Sequence, residues 1–123
     1  MTKRLMSAVF LTLSIVGVAH GQAVNSWYPG ATTLYHVKNC WYDLRSFNGG
    51  SARVGMSFTE NPAVSFFFYF TPTDATQLQK ASAIYASLLS AKAGGDNVYL
   101  FVSAIDSVNT AYWDFISVQL GPN

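Results

Sequence analysis

The stretch from Val64 to Asp74, VSFFFYFTPTD, constrains this chain more than any other, because aromatic residues run without interruption from Phe66 to Phe70. Side chains alternate across a β-strand, so a strand here sends Val64, Phe66, Phe68 and Phe70 to one face and Ser65, Phe67 and Tyr69 to the other. Both faces are then mostly apolar, and a sheet built on this strand needs cover on both sides. The Thr-Pro-Thr-Asp at its end starts a helix. Pro72 suits a first helical position after a Thr71 cap, and Asp74 with Gln77 offers an alternative capping box one step later.

The helix that follows, ATQLQKASAIYASLLSAK, places Leu78, Ala81, Tyr85, Leu88 and Leu89 on one stripe at helical spacing, and Gly94-Gly95 supplies a left-handed cap. On its C-terminal side, NVYLFVSAI alternates Val98, Leu100, Val102 and Ala104 against Tyr99, Phe101 and Ser103. The loop DSVNT then leads to a last strand, AYWDFISVQLG. Upstream, TTLYHVKNCWYDLRSF reads as a hairpin of Thr32 to Val37 and Cys40 to Phe47 joined at Lys38-Asn39. Asn48 to Gly50 is a turn signal, ARVGMSF is an extension or a short strand, and Asn61-Pro62 breaks the pattern.

The N-terminus carries a different message. Lys3 and Arg4 precede an apolar run from Leu5 to Val18 and small residues at Ala19 and Gly21, the three-part layout of a secretory signal peptide cleaved after Gly21. The run is shorter than the ~20 residues that span a bilayer core, so no stable membrane anchor is expected after cleavage. Residues 22–123 then form a single domain, exported to a periplasm or secreted. Without the leader, Lys38, Arg45, Arg53, Lys80 and Lys92 face Asp43, Glu60, Asp74, Asp96, Asp106 and Asp114. This balance offers no basic stripe for phosphates and argues against a nucleic-acid partner. Charged residues are 11% of the chain against a usual ~25%, and a small domain with so few charges covers part of its surface with a protein partner or with itself. Cys40, the only cysteine, cannot form an internal bridge; it is a small buried side chain or, alternatively, an intermolecular link.

The order strand, strand, strand, helix, strand, strand predicts a mainly β domain with one helix, a five-stranded OB-fold-like barrel in which the third strand pairs with the fifth and the fifth with the fourth. Val64/Phe66/Phe68/Phe70, Val98/Leu100/Val102 and Ile116/Val118/Leu120 would fill it. Phe67, Tyr69, Tyr99, Phe101, Trp113 and Phe115 would then lie outside on three adjacent strands and form a candidate interface. The helix and its exit, IYASLLSAKAGGDNVYLFV, resemble small exported bacterial proteins with OB-like folds, a plan shared by the B subunits of AB-type toxins. The resemblance rests on Tyr85, Leu88, Leu89, Ala91, Lys92 and Gly94. It implies fold and export, and more remotely oligomerisation and glycan binding.

No constellation for catalysis stands out, and no cofactor is expected. With a turn at Lys38-Asn39, His36 lies opposite Trp41 rather than Cys40, so a Cys-His pair would need irregular geometry. His36, Cys40 and the scattered aspartates have no metal-ligand spacing, and neither a G-x-S-x-G elbow nor a phosphate loop occurs. Asp106 and Asp114 could face each other across the last hairpin, although solvated loop carboxylates are the commoner arrangement. The expectation is a non-enzymatic binding module. Trp41, Asp43 and Arg45 on the outer face form a candidate ligand site, one stacking ring with two hydrogen-bonding charges, a combination on which sugars bind; the resemblance implies a toxin B-subunit-like oligomer. The plainer alternative packs Trp41 under the NGGSARVG loop and pairs Asp43 with Arg45 or a neighbour. In the competing functional reading the chain is a periplasmic interaction or inhibitor/immunity-type protein with no small ligand.

Overall fold

A computed structural model describes residues 24–30, 32–47 and 50–121. The expected leader, residues 1–21, lies outside the described residues. Six strands and one helix follow in the order β1 (Ser26–Tyr28), β2 (Val37–Phe47), β3 (Ser51–Phe58), β4 (Asn61–Phe70), α1 (Ala75–Gly94), β5 (Asn97–Ile105) and β6 (Tyr112–Gly121).

The mainly β architecture with one helix is as expected, but the strands form one open six-stranded sheet, β1-β5-β6-β4-β3-β2, and not a closed five-stranded barrel. The predicted pairings of third with fifth and fifth with fourth strand do occur. β4 runs parallel to β6, and β5 pairs antiparallel with β6. Closure would need a ladder between β2 and β5. The two approach only through an isolated bridge, His36 to Asn97, and a hydrogen bond from Val98 N to Tyr35 O of 2.9 Å. β1 occupies the neighbouring stretch of the β5 edge, Leu100 to Val102.

The expected hairpin at Lys38-Asn39 is absent. β2 runs straight through, with a register shift between Val37 and Asn39, and pairs with β3. A two-residue hairpin favours positive φ, and neither Lys38 nor Asn39 has it, whereas Gly50 stands at φ 111° between β2 and β3. Asn61-Pro62 does not break the chain but opens β4, where a missing N–H costs least. The helix takes the second of the two predicted starts. Asp74 is the N-cap and accepts from Thr76 N and Gln77 N at 3.0 and 3.1 Å, while Gln77 Oε1 accepts from Thr71 N at 2.7 Å. Gly95, at φ 71°, closes it and donates to Ala91 O.

The core lies on one face of the sheet, here the inner face. β3 supplies Ala52, Val54, Met56 and Phe58; β4 supplies Phe66, Phe68 and Phe70; β5 supplies Val98, Leu100 and Val102. The helix buries Ala81, Ile84, Leu88 and Ala91, with Leu78 and Tyr85 packed against the core, so the predicted stripe holds except at Leu89, which is 44% exposed. Small Ala81 and Ala91 let the helix sit close to the strands. At the far end of the sheet, Tyr28 packs with Tyr35, Phe58, Phe66 and Trp113 at ring separations of 5.0 to 6.0 Å, closing the core where no helix reaches.

β6 departs most from the expected faces. Trp113 and Phe115 are in the core, 4% and 1% exposed, whereas Ile116 and Leu120 are 45% and 41% exposed. The register jumps from Val102–Phe115 to Phe101–Ser117, so Ile116 is an extra residue in a β-bulge. One extra residue inverts the alternation beyond it. Trp113 and Phe115 are therefore not interface residues, and of the third predicted interior set Val118 alone packs on the core.

Candidate functional site

The side chains of the outer face come from alternate positions of the same strands. Phe67 is its hub and is 2% exposed although no helix covers it. Trp41 and Tyr112 meet it edge-on at 6.0 and 5.1 Å, Tyr69 lies 5.9 Å away, and the Arg53 guanidinium sits 4.3 Å above the ring. The chain's own aromatic neighbours thus cover one side of the run Phe66 to Phe70 and the inner core covers the other.

Trp41 is placed by a glycine. It pairs across β2 and β3 with Gly55, and a Cβ there would stand 2.2, 2.4 and 2.5 Å from Cε2, Cζ2 and Nε1 of the indole. Near-equal distances to three adjacent ring atoms mean that the indole lies flat over the Gly55 backbone. One ring face rests on the strand, and the residue is half-buried. Trp41 thus packs on strand β3 at Gly55, where a loop was expected.

Asp43 and Arg45 stand beside it. The Asp43 carboxylate accepts from Arg45 N at 3.0 Å, from Nε at 3.1 Å and from Nη2 at 2.7 Å. These hydrogen bonds, with the added charge of Arg53 on the paired strand, hold the Asp43 carboxyl down at about 2. The Arg45 side chain remains 81% exposed. Trp41, Asp43 and Arg45 are therefore brought together, with Arg53 and Phe67, which the sequence did not connect to them. The period-two pattern of β3 carried that signal, since it sets Arg53 and Gly55 on one face.

The other expected residues fall elsewhere. Tyr99 and Phe101 are outer-face residues of β5, and Trp27 of β1 packs edge-on to Phe101 at 5.4 Å. His36 lies away from Cys40. Its N and Nδ1 meet the Glu60 carboxylate at 2.7 and 2.6 Å, and Thr59 N donates to its carbonyl at 2.9 Å. Burial pushes the Glu60 carboxyl up, but the hydrogen bonds from His36 outweigh it and hold it below its usual value. Cys40 packs at the margin of the core, where burial raises its thiol pKa. Asp106 caps the β5–β6 loop, accepting from Val108 N and Asn109 N at 2.8 Å, and those bonds lower its pKa. Asp114 lies on β6 beside Phe67, and burial, then the charge of Asp106, pushes its carboxyl up.

Among the described residues no group of three or more His, Cys, Asp or Glu could hold a metal ion, and no helix is long and apolar enough to cross a membrane. What the outer face can do chemically is stack and hydrogen-bond: flat rings lie beside fixed charges at the β2–β3 end. Comparison of the chain with protein-family models, with curated proteins and with solved structures returned no match.

Proposed function

We propose that this chain is an exported, non-enzymatic binding domain and that the Trp41 corner of its outer face takes a glycan. The observation that carries the reading is the indole laid flat on Gly55, with Asp43 and Arg45 fixed beside it. A sugar ring has an apolar face that stacks on an aromatic plane, while its hydroxyls require directed polar partners. Asp43 supplies a carboxylate acceptor, and Arg45 supplies a guanidinium on a side chain that is 81% exposed. Export rests on Lys3, Arg4 and the apolar run from Leu5 to Val18.

The test is a glycan screen read by tryptophan fluorescence, followed by titration of any hit. Trp41→Ala and Arg45→Ala should each weaken binding at least tenfold, about 1.4 kcal/mol or more. Arg45→Ala guards against misfolding as the cause because that side chain is largely in water. A screen without a hit, or a hit that both variants bind unchanged, removes the glycan reading. The competing reading, an inhibitor/immunity-type protein with no small ligand, is favoured by the exposed Trp27 and Ile116 at the other end of the same face.

A further inference from the structure

The charges around Trp41 do not cancel. Strands β2, β3 and β4 carry Lys38, Arg45 and Arg53 against one carboxylate, Asp43, although residues 22–123 hold six acidic side chains against five basic ones. Asp43 is largely satisfied within the chain. Its Oδ1 accepts from Arg45 N and Nε and its Oδ2 from Nε and Nη2, which uses most of the acceptor capacity of a carboxylate. Asp43 therefore acts chiefly to position the Arg45 guanidinium, on a side chain that is 81% exposed. Arg53, opposite Asp43 across β2 and β3, adds a second guanidinium 4.3 Å from the centre of the Phe67 ring, which Trp41 meets edge-on. Asp114, the acid on the far side of Phe67, stands on β6 with β4 between it and Arg53, and its carboxyl responds to burial and to Asp106. Beside the indole are thus two guanidinium groups and one carboxylate already engaged by its neighbour.

We propose that the sugar taken at the Trp41 corner is an acidic one, whose carboxylate or sulfate lies against Arg45 and Arg53 while its ring stacks on the indole. The inference rests on the glycan reading and names the ligand class for that same site. Each hydroxyl of a neutral sugar is both donor and acceptor, so a neutral sugar is best met by donors and acceptors in balance; here donors predominate. An anionic group only accepts, and a guanidinium answers it with charge-assisted hydrogen bonds about twice as strong as neutral ones. A guanidinium already held by Asp43 also loses little side-chain freedom when a ligand arrives, which lowers the cost of binding. Because Arg45 is exposed, the attraction is screened by salt, and the preference for an acidic sugar should weaken as ionic strength rises.

The experiment is a fluorescence titration of protein purified after expression of the full chain, at low and at high salt. The probes are short oligouronates and sulfated galactan oligomers, each beside its own methyl-esterified or desulfated counterpart. At least one acidic oligomer should bind about tenfold to a hundredfold more tightly than its neutral counterpart, the range that a hydrogen bond to a charged group commands. Added salt should narrow that ratio, and the uronate and sulfate arms tell which anion is preferred. Arg45→Gln should narrow it at low salt too, whereas Arg45→Lys, which keeps the charge, should retain the salt dependence. Binding of the neutral form as tight as or tighter than the acidic one, or an acidic preference unchanged in both Arg45→Gln and Arg53→Gln, would overturn the proposal and leave the glycan reading standing. Inorganic sulfate binding as tightly as the sulfated oligomer would overturn it by showing an anion site with no part for the sugar. No binding by any of the oligomers would overturn it as well, and the wider glycan screen then decides the glycan reading on its own.

Discussion

Gly55→Ala tests the geometry on which the site rests. The new Cβ would fall 2.2 Å from Trp41 Cε2, inside any van der Waals contact, so either the indole leaves or the strands part. Overpacking of this kind costs about 1–3 kcal/mol, and displacing Trp41 also forfeits an edge-on contact with Phe67 worth about 0.5–1.5 kcal/mol. Against this, replacing glycine at a negative φ restricts the unfolded chain and returns about 0.4–1 kcal/mol. Because Trp41 is only half-buried, it moves before the sheet does, and the net loss is about 1–2 kcal/mol. For a domain of this size that lowers the melting temperature by roughly 4–16 °C. The assay is thermal and urea unfolding of Gly55→Ala in two backgrounds, natural and Trp41→Ala. In the second background the clash has no partner, and the substitution should be neutral or slightly stabilising. An equal loss in both backgrounds would refute the placement of the indole over Gly55.

Other expectations follow from the same structure. Phe115→Ala should cost about 3–5 kcal/mol, a large part of a marginal domain's stability, visible as a collapse of the unfolding midpoint, because the ring is fully buried in the core. Asp74→Ala removes the acceptor for two helix N–H groups and should cost about 1 kcal/mol, read by urea unfolding, with Asp74→Ser restoring most of it. The two shifted carboxylates should act with opposite signs. Glu60 is held below its unfolded value of 4.5, so it stabilises the fold above that pH and the contribution disappears as pH falls through its lowered folded value. Glu60→Gln should thus lower the melting temperature at pH 7, by an amount that shrinks as the pH falls below 4.5. Asp114 is raised above 3.8, so its charged form destabilises the fold at neutral pH. Asp114→Asn should therefore raise the melting temperature at pH 7 and lose that advantage below about pH 3, where the carboxyl is protonated in both states.

Much of this was written locally. The helix was legible because caps are short-range hydrogen-bond chemistry: its start was narrowed to two caps, Thr71 and Asp74, of which Asp74 serves, and Gly95 stands where a left-handed residue is needed. The inner faces of β4 and β5 were legible because alternation alone assigns them. The hairpin at Lys38-Asn39 was misread because a bulge and a turn interrupt a period-two pattern in the same way. Only the pairing of β2 with β3 tells them apart. The candidate ligand residues Trp41, Asp43 and Arg45 share one strand, so their neighbourhood could be read from alternation, whereas the contribution of Gly55, Arg53 and Phe67 could not.

The sequence by itself determined an aromatic, charge-poor β domain with one capped helix, since composition, periodicity and capping act over a few residues. Tertiary structure decided which aromatics became core. A single inserted residue, Ile116, moved Trp113 and Phe115 inward, and such a bulge exists only relative to the partner strand β5. It also decided that the sheet stays open, because the addition of β1 and the one bridge from His36 to Asn97 depend on how the edges of the sheet meet after folding. Local preference sets what each strand can present, but register between strands distant in the chain sets which face receives it.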